Sequence, residues 1–157
     1  MDILNIFTNH YLLVPAFAWI VAQILKLIIS AVMTKTVSWS RLVGDGGMPS
    51  GHSATVTALA MMCGLFHGFG SAEFGISMIL AIIVMHDAIG VRRETGKQAE
   101  SIITISKMLN DYFTEHDQKI KTDKLKVLVG HTPLQVVCGS LLGALIAILY
   151  RIAFLIF

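Results

Sequence analysis

Charge is scarce in this sequence: Asp, Glu, Lys and Arg make up 14% of it, where a soluble domain carries about a quarter. That shortage excludes a globular domain with a charged shell. With 55% hydrophobic residues and a mean hydropathy of +0.72, the chain reads as one membrane domain, 1–157, with little mass outside the bilayer. Cysteine is rarer still. Cys63 and Cys138 both fall inside apolar runs, where they read as buried thiols and not as a disulfide. No Gly-x-x-x-x-Gly-Lys-Ser/Thr loop and no Gly-x-Ser-x-Gly elbow occurs, which removes the P-loop and serine-elbow hydrolase classes. Met1-Asp2 lacks a basic lead, so no cleavable signal peptide is expected.

What is present is apolar length. Tyr11 to Met33 is about 35 Å long as a helix, enough to span a bilayer. Further spans are expected over 53–70, over Phe74 to Val91, and from Pro133 to about Tyr150 or Phe157. Residues 97–113 place Ala99, Ile102, Ile103, Ile105, Leu109 and Phe113 near helical spacing, which suits a helix lying on the membrane surface. The expected fold is therefore all-α, an integral membrane bundle of about four transmembrane helices plus one amphipathic surface helix.

One stretch stands out against this background. Gly46-Gly47-Met48-Pro49-Ser50-Gly51-His52-Ser53 precedes the second span, with Ser50 as its expected N-cap. The orphan N–H groups of such a helix start attract anions, phosphate above all. His52 would sit in the first turn, able to carry a proton. Within the first span Gln23 and Lys26 share one face, and Lys26 lies about 10 Å from its end. An ionisable group at that depth faces a bundle interior or a polar cavity, unless it snorkels.

Four spans put the loop after the first and the loop after the third on one side. Lys35, Arg41, Ser50, His52, Arg92, Arg93 and His131 all fall there, and Asp87 closes the third span beside them. Ten of the twelve Lys and Arg residues lie on that face, all but Lys26 and Arg151, so the positive-inside rule makes it cytoplasmic. Two histidines, several cations and a helix start converge, with few carboxylates. That set disfavours magnesium, which wants carboxylates, and zinc, which wants a third good ligand. It suits metal-free phosphoryl chemistry in which one imidazole attacks and the other donates a proton.

Pro49-Ser50-Gly51-His52 resembles the central motif of the type 2 phosphatidic acid phosphatase and vanadium haloperoxidase superfamily. Val129-Gly130-His131-Thr132-Pro133, continuing to Gly139, is similar to its final motif. Ala22 to Lys26, Gly46 to Ser50, Asp87 to Arg93 and Gly130 to Pro133 together resemble the divergent branch of that family, over nearly the whole chain.

The resemblance implies a phosphatase acting on a lipid phosphate or pyrophosphate through a phosphohistidine, with no cofactor and no metal. It makes His131 the nucleophile, His52 the general acid, and Ser50 and the Gly51 amide phosphate contacts. Arg92 or Arg93 would match the final motif's arginine, although a long insertion separates them from His131. Lys26 or Lys35, with Arg41, would stand in for the first motif, whose usual spacing is absent. Where the superfamily keeps an aspartate four residues after its nucleophile, this chain has Gln135, which can orient a ring N–H but cannot offset charge. Asp87 could supply that carboxylate, or simply pair with Arg92 or Arg93; Gln23 and Lys35 complete the supporting set. The competing reading is a catalytically impaired member that binds or transports lipid phosphates. The implied partners are the lipid phosphate and membrane lipids in a bacterial plasma membrane. Nucleic acid is not called for, and an oligomer is compatible with the sequence.

Overall fold

A computed structural model describes residues 3–35, 47–114 and 130–156. A short 3-10 turn, Ile3–Thr8, leads into five α-helices: α1 His10–Thr34, α2 Gly51–His67, α3 Ala72–Ile89, α4 Val91–Thr114 and α5 Pro133–Ile156. No strand occurs among the described residues.

Local chemistry sets the helix ends. Asn9 Oδ1 accepts the Tyr11 N–H at 2.9 Å and starts α1, which continues through Pro15 and stops at Lys35 in the left-handed region. Ser71 Oγ accepts the Phe74 N–H at 3.2 Å to start α3. Gly90 ends α3 by donating its N–H to His86 O at 2.8 Å, and α4 begins at once beyond it. The expected surface helix therefore starts at Val91, earlier than its apolar spacing implied, and carries Arg92 and Arg93 in its first turn.

Among the described residues, three stretches are long and apolar enough to cross a membrane: His10–Thr34, the bent α3–α4 stretch Ala72–Tyr112, and Pro133–Ile156. The expected second span, α2, has 17 residues and is about 25 Å long. None of its large apolar side chains is exposed, whereas Phe17, Ile24, Ile28, Ile79, Ile83, Leu141 and Leu145 on the outer helices are. Helices that turn isoleucine and leucine outward and alanine inward are solvated by hydrocarbon. The core is correspondingly small-residue: Ala18 and Ala22 of α1 meet Ala54 and Ala58 of α2.

Glycine brings α5 against α2. A Cβ at Gly139 would overlap the Ser50 carbonyl oxygen, and one at Gly143 would overlap that of Ala54. This close approach lets Ser50 N–H reach Gln135 O at 3.0 Å. Contacts elsewhere fix the directions. Val14 and Tyr11 near the start of α1 pack with Met62 and Phe66 late in α2, and Ala147 of α5 joins them. Phe74 at the start of α3 lies beside Gly64 near the end of α2. The ends of α1 and α3 and the starts of α2 and α5 therefore share one end of the bundle.

Candidate functional site

That shared end gathers most of the polar residues that the sequence singled out. Ser50 is fully buried and caps α2, its Oγ accepting from Ser53 N–H at 3.3 Å and from Ser53 Oγ at 3.0 Å. Ser50 N–H and Ser53 N–H are thereby used, and Ala54 N–H goes to Ser50 O. The Gly51 and His52 amides donate to no acceptor among the described residues, as the first N–H groups of a helix do.

α1 closes this loop from the side. Gly47, at φ +105°, lies over the Lys26 stem: a Cβ there would stand 3.1 Å from Lys26 Cγ and Cδ. Lys26 is 4% exposed, so its depth reflects packing under the loop and not snorkelling. Gln23 lies one turn back, its Nε2 3.8 Å from a Cβ built at Gly51, and Trp19 Cδ1 is 3.1 Å from the same point.

His131 is 2% exposed and held from three directions. Its N–H donates to Ala88 O at 2.9 Å. Its neighbour Gly130, at φ +92°, runs so close to α4 that a Cβ would overlap the Arg93 backbone. Its ring Nδ1 lies 3.1 Å from Gln135 Oε1. The same oxygen accepts the Thr132 N–H at 3.1 Å, and Thr132 Oγ1 lies 3.4 Å from the Gln135 N–H. Thr132-Pro133-Leu134-Gln135 is thus a capping box with proline at the first helical position. A backbone N–H can only donate, so the shared atom is the amide oxygen and Nδ1 must carry the ring proton. In the neutral ring the lone pair is then on Nε2.

The His52 and His131 rings lie edge-to-face, with centroids 6.1 Å apart and planes inclined at 64°. Arg92 Nε donates to Asp87 Oδ2 at 2.6 Å, both side chains being about two-fifths exposed. Asp87 therefore takes the arginine-pairing role, while Gln135 takes the position behind the His131 ring. Gly130 packing on the start of α4 sets the backbone of Arg92 and Arg93 beside the residue before His131, across the long insertion that separates them in sequence. Lys35 is exposed at the end of α1. Arg41 lies outside the described residues, as do residues 36–46 and 115–129. Among the described residues, no three His, Cys, Asp or Glu side chains group as metal ligands.

Sequence reasoning missed three contributors. Ser53 gave no signal beyond its place in the Ser-Gly-His-Ser run. The capping box was legible as Thr-x-x-Gln. Trp19 could have been suspected from its helical spacing to Gln23 and Lys26.

Fold and site together define a multi-pass, all-α membrane protein with a polar, cationic and imidazole-bearing cluster at one end of its bundle. The chain belongs to the Divergent PAP2 family, which matches residues 7–146. It is 39% identical over 158 residues to the uncharacterized membrane protein YuiD of Bacillus subtilis (strain 168), spanning 97% of this chain and 100% of that one. No solved structure matches it.

Proposed function

We propose that this protein is a membrane-embedded, metal-independent phosphatase that cleaves a lipid phosphate or pyrophosphate through a phosphohistidine on His131. The observation that carries the reading is the oriented histidine pair: His131 Nδ1 held by Gln135 at 3.1 Å, with the His52 ring opposite. Nε2 attacks phosphorus, the bond to the leaving oxygen breaks, and His52 protonates that oxygen. The Gly51 and His52 amides, with Lys26 and Arg93, balance charge on the remaining phosphate oxygens. Ser50 serves as the cap that aims those amides. Family membership supports phosphate as the ligand. The positive-charge bias of one set of loops supports a pocket that faces the cytoplasm.

A second reading has its own observation. Gln135 is neutral, and the nearby Asp87 is engaged by Arg92, which fits a protein that binds lipid phosphates without cleaving them. Purified protein in lipid nanodiscs, incubated with a panel of lipid phosphates and diphosphates under chelator and rapidly quenched, separates the two. Released phosphate and an acid-labile phosphohistidine are expected. Saturable binding with neither product establishes the binding reading, and activity restored only by a divalent metal overturns the metal-free mechanism.

A further inference from the structure

The site is rich in donors and poor in acceptors. Of the acceptors around it, Gln135 Oε1 is shared by His131 Nδ1 and Thr132 N–H, and Asp87 Oδ2 is taken by Arg92. Gln23 Oε1 differs: it is buried and has no hydrogen-bond partner among the described residues. A buried acceptor without a donor lowers stability, so its persistence calls for an explanation. Gln23 lies against Gly51, the residue between the Ser50 cap and His52, and shares its helix face with Lys26 under the same loop. An unprotonated phosphate oxygen cannot satisfy it, because both would be acceptors. Whatever satisfies Gln23 Oε1 must bring an O–H or N–H to the start of α2.

The hydrolytic half of the proposed reaction brings such a group. Once His131 carries the phosphoryl group, His52 has given up its proton to the leaving oxygen and can act as base. The attacking water has two O–H bonds; His52 takes one proton, and the other needs an acceptor. We infer that Gln23 is the positioning residue for that water, its carbonyl oxygen accepting the second O–H while His52 removes the first proton. This rests on the phosphohistidine reading above. The water oxygen bonds to phosphorus and the N–P bond breaks. Its electron pair returns to Nε2 of His131, whose other ring proton stays on Nδ1 against Gln135. Inorganic phosphate leaves, and His52 regains its proton.

Methanol separates this role from a structural one, because it has only one O–H and makes no demand on Gln23. The experiment uses the full chain in nanodiscs, turning over a lipid phosphate in water with methanol added, and reads methyl phosphate against inorganic phosphate. Gln23→Leu is expected to lower hydrolysis about tenfold, the effect of one lost hydrogen bond. Methanolysis should persist, phosphohistidine should accumulate, and the product ratio should rise about tenfold. Gln23→Glu, which restores an acceptor of the same length, should bring the ratio back toward wild type. It also serves where the leucine variant does not fold: a wild-type ratio in Gln23→Glu with a raised ratio in Gln23→Met supports the role. Equal slowing of both products, or an unchanged ratio in every variant, overturns it. Wild-type protein that forms no phosphohistidine defeats the reaction itself, a failure distinct from a wild type that forms one and variants that partition normally.

Discussion

Gln135 does two jobs with one oxygen, closing the capping box of α5 and fixing the His131 ring, and Gln135→Glu separates them. Glutamate has the same reach and is equally suited to the third position of a capping box, so α5 should keep its start. The new charge would sit at the 3.1 Å separation now seen between Nδ1 and Oε1. At an effective dielectric of 20 that contact is worth about 5 kcal/mol. Moving a carboxylate beside a ring only 2% exposed offsets more than half of this. About 2 kcal/mol remains, or a roughly thirty-fold faster formation of phosphohistidine, because the imidazolium that develops as Nε2 attacks is now stabilised. The sign reverses at low pH. The same carboxylate makes His131 more basic, so protons compete with phosphorus for Nε2, and the acid limb of the rate profile moves to higher pH. Single-turnover rapid quench across pH tests both effects, with thermal stability as the control. A well-folded Gln135→Glu variant with neither a gain at high pH nor a displaced acid limb would refute the assigned role of Gln135. Gln135→Leu should lose the cap as well, costing about 1 kcal/mol of stability.

Further outcomes follow from the same geometry. Gly139→Ala should push α5 from α2 by a distance on the order of 1 Å to relieve the overlap with Ser50 O; a loss of about 1–3 kcal/mol in thermal denaturation and a turnover drop on the order of a hundredfold are expected. His131→Ala should abolish phosphohistidine while leaving lipid-phosphate binding largely intact, as read by calorimetry, since the cations and amides remain. His52→Ala should slow cleavage most for substrates with poor leaving groups, visible as a steeper dependence of rate on leaving-group basicity. In a background lacking Cys63 and Cys138, a cysteine at Ala72 should react with an impermeant reagent on intact cells and one at Gln118 should not; the opposite pattern reverses the orientation.

Much of the arrangement follows from residue order alone. Apolar lengths announce the outer helices, because a stretch that must satisfy its own backbone in hydrocarbon has few alternatives to a long helix. Ser50 marks a helix start by local chemistry that needs no distant partner. The sharing of one bundle end by His52 and His131 follows from counting spans, which is a matter of parity. Two expectations shifted for physical reasons. The second span proved to be a 17-residue helix enclosed by its neighbours; burial within protein relieves a helix of the need to match the bilayer. The surface helix began at Val91 because Gly90 caps α3 and the next helix starts at once beyond it, a choice that apolar periodicity cannot report.

Sequence by itself determined the class of protein, the candidate chemistry and the end of the bundle where it resides, since hydropathy, caps and span parity are properties of the chain in order. Only the tertiary structure decided which groups meet. The His52 ring beside His131, the Lys26 stem under Gly47, the Gln23 amide beside Gly51 and the His131 N–H on Ala88 O each depend on ångström-scale approach between segments far apart in sequence. That approach is set by Gly139 and Gly143 against α2 and by Gly130 against α4, where a single added methyl would collide with backbone. Contact at that resolution is a property of packed surfaces, and no pattern read along one helix contains it.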